Sequence, residues 1–322
     1  MPFPDPPVRR RAILMLLLAT TFWGLSFPLM KGAGQLAERG APDASTWFYT
    51  TMMVMPRFVL AALVLAVALG RTLRGITRLE WKQGLMMGLF ASAGMLFQAD
   101  GLQFTAASTS AFLSQFYAIL IPMWIAVRSW RNPGARVWLC TMLVLAGVAV
   151  LGQFDWHALR LGRGEAETLL ASVFFMGQIL TLERAEFAFN RVLPLTFVMF
   201  LVEGVVFGAL AVGTAPSAAA LIAPLSSLPW WGFTLALTVF CTLGAFLLMN
   251  KWQPRITSTE AGLLYCAEPV FSSSASLVLP GLFSVWAGIN YANESLSGNL
   301  LIGGGLILIA NVLLQMRPAS SA

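Results

Sequence analysis

Apolar runs of about twenty residues, separated by short polar gaps, repeat along nearly the whole chain. They fall at roughly 12–34, 46–69, 82–102, 105–127, 136–152, 166–182, 192–213, 229–250, 257–279 and 298–316. Each approaches the ~20 residues that an α-helix needs to cross a bilayer, so the pattern predicts ten spanning helices. The first run follows Arg9, Arg10 and Arg11, as a signal peptide would. It is too long for a signal h-region and ends without a small-x-small cleavage pattern, so it reads as a retained helix.

Composition agrees. The 322 residues are 58% hydrophobic and 11% charged, and the mean hydropathy of +0.76 is far from that of a soluble domain. Lys and Arg outnumber acids by 20 to 14, which in a soluble protein would point to nucleic acid. In a membrane protein the location of the charges matters instead, because cytoplasmic loops retain Lys and Arg. Arg9, Arg10, Arg11, Arg71, Arg74, Arg78, Lys82, Arg128, Arg131, Arg136, Arg184, Arg191, Lys251, Arg255 and Arg317 fall on one side. The opposite loops hold Arg39, Arg160 and Arg163, and fifteen against three places both termini in the cytoplasm. Lys31 and Arg57 remain, near the predicted outer ends of the first two helices.

The longest polar gap, 153–165, is extracytoplasmic and divides the chain into residues 1–152 and 166–322. Each half carries five helices, an odd number, so a duplicated half enters the membrane inverted. The fold predicted is all-α integral membrane, ten transmembrane helices as two inverted five-helix repeats.

Cys140, Cys241 and Cys266 each stand alone in apolar sequence, and His157 is the only histidine. That excludes a His-based triad, an HExxH site or a multi-histidine metal centre, and calls for no metal and no cofactor. The most unusual stretch is 257–271, TSTEAGLLYCAEPVF, where Glu260, Glu268 and Pro269 interrupt an apolar run. An ionisable side chain at membrane depth is costly and asks for a reason. Roughly 147 residues earlier lies a weaker copy, 109–123, TSAFLSQFYAILIPM, with Pro122 near its end and Ile121 where Glu268 would be. Two related segments, one per half, suggest a site between the halves that is asymmetric in charge.

Trp23-Gly24-Leu25-Ser26-Phe27 with Lys31, Arg57-Phe58, Gly101-Leu102 and Ala267-Glu268-Pro269-Val270-Phe271 resemble EamA-type members of the drug/metabolite transporter superfamily. The resemblance covers essentially the whole chain, and within the superfamily it is most similar to the YddG-like amino acid exporters. It implies export of amino acids, aromatic and other small amphiphilic metabolites among them, across the cytoplasmic (inner) membrane. The route would be alternating access through a cavity between the repeats. No Lys-Arg pair lies deep in the last two helices, which argues against phosphate recognition.

Glu268 then either binds a substrate ammonium, carries a coupling proton, or hydrogen-bonds a neighbouring helix and holds the kink at Pro269, the last being the plainer reading. Ser114, Gln115 and Tyr117 offer polar contacts in the first half, though such groups also serve as packing glue. Gln98, and Gln178 beside Phe175, are the polar candidates of the third and sixth helices, and Tyr265 stands one turn before Glu268. Trp23, Phe27 and Pro28 make the first helix a candidate gate, with Pro122 and Pro269 as further hinges. Asp100 reads as water-facing, and Glu260 as solvated or paired. Lys31 either attracts a carboxylate or snorkels to headgroups; Arg57 shares that ambiguity or ties its helix to a neighbour. Glu203 reads as facing protein. The GxxxG pairs Gly84/Gly88 and Gly204/Gly208 permit close helix contact but leave monomer against dimer open, a monomer being the simpler expectation.

No GxxxxGK[ST] loop is present, which excludes a P-loop ATPase within the chain. A membrane-embedded enzyme acting on a lipid or small metabolite would need clustered His, Asp or Glu, which here are dispersed. A channel would want repeated rings of like residues. The partners expected are a small molecule and the lipid bilayer, with no nucleic acid; a drug-efflux role in the same superfamily is the alternative.

Overall fold

The computed structural model of the protein describes residues 6–104, 110, 113–130, 132–151, 162–295 and 297–315. His157, Arg131, Arg160, Arg317, the start of the 105–127 run and positions 153–161 of the gap between halves lie outside the described residues. Among the described residues there is no strand. The first helices are α1 (Pro6–Gly40), α2 (Thr46–Leu69), α3 (Arg78–Phe104), α4 (Tyr117–Ser129) and α5 (Ala135–Leu151). After them come α6 (Arg163–Leu182), α7 (Val192–Thr214), the short α8 (Ala218–Ile222), α9 (Leu228–Ala236) and α10 (Ala245–Trp252). The chain continues through α11 (Ser258–Tyr265), α12 (Glu268–Ser276), α13 (Leu279–Ala287) and α14 (Gly298–Gln315).

Among the described residues six helices are long and apolar enough to cross a membrane, or seven if the bent α11–α13 unit counts as one span. Tyr117–Ser129, Ala135–Gly147 and Leu301–Ala310 are shorter apolar helices. Backbone groups must be satisfied internally in lipid, and helices do this; the chain is a multi-pass membrane protein. Its exterior is correspondingly apolar: Val67 is 84% and Val127 72% exposed. Buried polar residues, Thr50, Gln178 and Asn250 among them, face inward.

Two predicted helices depart from regularity. The 229–250 run forms one 28-residue rod, Leu228–Arg255, whose centre, Leu237–Gly244, is π-helical. The 257–279 run is not one helix. α11 ends at Tyr265, a turn at Cys266 and Ala267 intervenes, and α12 starts at Glu268 with Pro269 in its first turn. Proline has no N–H to give the Tyr265 carbonyl, and its fixed φ suits the first turn of a new helix. A second break before α13, again with proline in the first turn, bends the unit by 53°.

The helices pack α2 on α7, α3 on α6 and α7, α5 on α14, and α1 across α10, the π segment and α12. Glycines set several of these approaches. A Cβ added to Gly84 would lie 2.6 Å from the Val198 Cβ, and one on Gly88 2.8 Å from the Val202 Cβ, both on α7. Gly204 of α7 in turn meets Val59 of α2. Both GxxxG pairs therefore serve contacts inside the chain.

Candidate functional site

α1 runs directly against the broken segment. A Cβ on Gly24 would fall 2.7 Å from the Phe271 Cβ, 2.9 Å from the Ser272 nitrogen and 3.1 Å from the Glu268 carbonyl oxygen. Only a residue without a side chain allows backbone this close to backbone. Trp23, the next residue, is thereby laid edge-on to Tyr265, with centroids 5.2 Å apart, and to Phe246 at 5.4 Å.

At this crossing lies a cavity of about 70 Å³, room for a few waters. Its wall is built from pairs of side chains three apart on single elements. Trp23 and Ser26 come from α1, Met95 and Gln98 from α3, and Ser114 and Tyr117 from the entry to α4. Phe175 and Gln178 come from α6, Phe246 and Met249 from α10, and Tyr265 and Glu268 span the break; Ile179 completes the lining. Residues i and i+3 share one helical face, so each element turns one face inward. Every pair except Phe246 and Met249 joins an apolar or aromatic side chain to a polar one.

Glu268 is partly buried and is the one carboxylate of the wall, and among the described residues no Lys, Arg or His lines it. Its Oε2 accepts from Gln115 Nε2 at 3.3 Å, and Gln115 Oε1 accepts from the Tyr117 hydroxyl at 2.6 Å. The acid of the second half is thus oriented by an amide of the first. The Tyr265 hydroxyl donates to Gln253 Oε1 at 2.9 Å, and Gln253 Nε2 donates to the Ile179 carbonyl at 2.8 Å, so that ring is fixed from behind. Gln178 Nε2 meets the Met199 sulfur 3.8 Å away, a weak acceptor.

Of the candidates named from sequence, Trp23, Gln98, Ser114, Tyr117, Phe175, Gln178, Tyr265 and Glu268 stand around this cavity. Gln115 stands behind it, and Phe27 is buried without lining it. Ser26, Met95, Ile179, Phe246 and Met249 were not read from sequence. Ser26 and Met249 carry a signal in hindsight, three residues after Trp23 and Phe246, but nothing in the chain marks which face turns inward. Pro28 and Pro122 lie within continuous α1 and α4, whereas Pro269 coincides with a break.

Five charged residues stand as follows. Asp100 is not water-facing: it is fully buried, its Oδ2 paired with Arg163 Nη2 at 2.6 Å, because α6 crosses α3 there. Arg57 does not snorkel from a helix end. α2 begins at Thr46, so residue 57 falls mid-helix, and it is 1% exposed. Lys31 is exposed over the Tyr291 ring, 5.7 Å from its centroid, and stands away from the cavity. Glu260 pairs with Arg9 of α1 at 2.5 Å, and Glu203 is fully buried.

A model of the EamA-like transporter family matches residues 10–153. Over 320 residues, 96% of this chain and 87% of the relative, the chain is 23% identical to an uncharacterized transporter of Archaeoglobus fulgidus. It also superposes on a solved chain described as the crystal structure of a protein. The TM-score is 0.66 at 18% identity, covering 95% of this chain and 96% of that one, a likeness of fold alone. The EamA-like transporter pattern thus runs through the helices that bring Trp23, Gln98 and Tyr117 to the cavity, and the chain as a whole is similar to a transporter.

Proposed function

We propose that the protein is an EamA-type secondary exporter that carries amine-bearing amphiphilic metabolites, amino acids in the first place, out of the cytoplasm by alternating access. The observation that carries this reading is the single carboxylate, Glu268, set in an otherwise uncharged wall of Trp23, Phe175, Phe246 and Tyr265. An ammonium group is matched by the carboxylate and by the aromatic faces, while an apolar side chain finds Met95 and Met249. The cavity is smaller than such a metabolite, as suits a site that enlarges when the helices around it part.

The same reading takes the chain as ten crossings with both termini in the cytoplasm of the inner membrane, residues 1–152 and 166–322 being inverted repeats. Helix pairing supports it. Numbering the crossings in order, α2 packs on α7 and α5 on α14, which are second with seventh and fifth with tenth. α3 on α6 and α1 on α10, third with sixth and first with eighth, exchange under the same two-fold relation.

The test is uptake of labelled L-phenylalanine into proteoliposomes holding the purified protein, with unlabelled amino acids, amines and nucleobases as competitors. Saturable uptake competed by amines and amino acids is the expected result, and Glu268→Gln should lower it roughly tenfold or more, the scale of a lost charge-assisted hydrogen bond, with folded protein recovered in full. Absence of saturable flux for every amino acid tried would sink the reading. Unaltered kinetics in Glu268→Gln, with reduced protein yield, would assign the acid to structure alone.

A further inference from the structure

Arg57 is the one buried cation among the described residues. Its guanidinium carries five N–H donors, yet its polar contacts are with sulfur. Nη1 lies 3.6 Å from the Met30 sulfur and Nη2 3.6 Å from the Met95 sulfur, and Nε has no partner. Thioethers are weak acceptors. Glu203 lies on α7, the helix packed on α2. Glu203 is itself fully buried, and neither of its oxygens accepts a hydrogen bond. A guanidinium sunk in a helix junction without a directly bonded acid is costly.

Position supplies the reason. Met95, which covers one side of the guanidinium, lines the cavity. Arg57 therefore stands one side chain behind the wall, and that side chain is unbranched and easily repacked. The cavity as lined offers an acid and no base. A zwitterion entering it would have its ammonium matched and its carboxylate stranded.

We infer that Arg57 is the receptor for a carboxylate on the transported molecule. Met95 moves aside, and the planar fork of the guanidinium takes both carboxylate oxygens. The inference rests on the proposed function, since it assigns the second half of a ligand whose ammonium meets Glu268.

Three probes share a ring and an amine and differ at the carboxylate: L-phenylalanine, L-phenylalaninamide and phenethylamine. Their binding to the purified protein in lipid nanodiscs is measured by calorimetry. The wild type should prefer the acid over the amide roughly tenfold or more, as a charge-assisted forked contact requires. The decisive variant is the double Arg57→Gln/Glu203→Gln, which removes the fork and leaves no ionisable side chain at either position. It should bind all three probes alike, with the amide affinity unchanged. A second variant, Met95→Glu, leaves Arg57 in place and occupies it with a fixed carboxylate; it too should lose the preference for the acid. Retention of the acid preference in either folded variant overturns the inference. If the wild type binds all three probes equally, the substrate reading stands and Arg57 holds no carboxylate. If it binds none, the substrate reading fails and takes this one with it.

Discussion

A methyl group at residue 24 would meet a Cβ, a backbone nitrogen and a carbonyl oxygen, all within 3.1 Å and none of them a flexible tip. Gly24→Ala must therefore push α1 off α12, at a cost of about 1–3 kcal/mol from overpacking. Because Trp23 and Ser26 ride on the same stretch, the cavity opens with it. The expected outcome is a lowered melting temperature in detergent together with slowed phenylalanine uptake. Gly213→Ala serves as the control, since a Cβ there meets nothing within 4 Å; equal behaviour of the two variants would remove Gly24 from the account. Around Glu268 the same lesson holds at single-residue scale. The acid stands out in the sequence, but its partner Gln115 lies 153 residues away and is found only in space.

Helix ends at one edge of the molecule are tied by a repeated device. Thr77 and Glu80 form reciprocal side-chain to backbone bonds at the start of α3, and Thr257 and Glu260 do the same at α11. Each glutamate then takes a distant arginine: Glu80 accepts from Arg191 Nε at 2.7 Å, and Glu260 from Arg9. Ser258, the first residue of α11, also donates to Glu183 just past α6. Beside them Lys82 bonds Glu186 at 2.8 Å and holds that exposed carboxyl below its ordinary range, so this contact is present above the usual glutamate pKa and lost as pH falls through the lower value. Glu80→Gln keeps the helix cap but removes the charge that Arg191 meets. It should cost about 1–2 kcal/mol after allowance for the half-exposed arginine, read as a lower melting temperature. Addition of salt should narrow the gap from wild type, since screening weakens the native pair; an identical melting curve at low salt would show the pair to be idle. The T-x-x-E spacing announces both caps in the sequence, whereas the arginine each one meets does not follow from any local rule. The π segment is likewise unannounced: its apolar run reads as an ordinary helix, and packing against α1 decides the local register.

For the molecule as a whole the open quantity is its placement in the membrane. The three cysteines are buried, so the unmodified chain should react slowly with a membrane-impermeant maleimide. Asp43 and Arg74 are exposed at turns on opposite sides of α2. In intact cells Asp43→Cys should label from outside and Arg74→Cys only after permeabilisation. The reverse pattern would invert the proposed orientation, and labelling of both from outside would break the ten-crossing count.

The apolar runs by themselves determined the all-helical membrane class, because in lipid a backbone must bond to itself and a long apolar stretch has no other way to do so. They also marked Glu268 and Pro269, since an acid and a proline inside such a run stand against everything around them. What only the tertiary structure decided is which face of each helix turns inward. Trp23, Gln98, Tyr117, Gln178 and Tyr265 are separated by as much as 242 residues along the chain, and they meet around one cavity because glycines let the backbones close. In an apolar helix both faces are hydrophobic, one toward lipid and one toward protein, so the pattern that betrays the buried side of a soluble helix is missing. The depth of Arg57 and the pairing of Asp100 were settled by tertiary contacts in the same way.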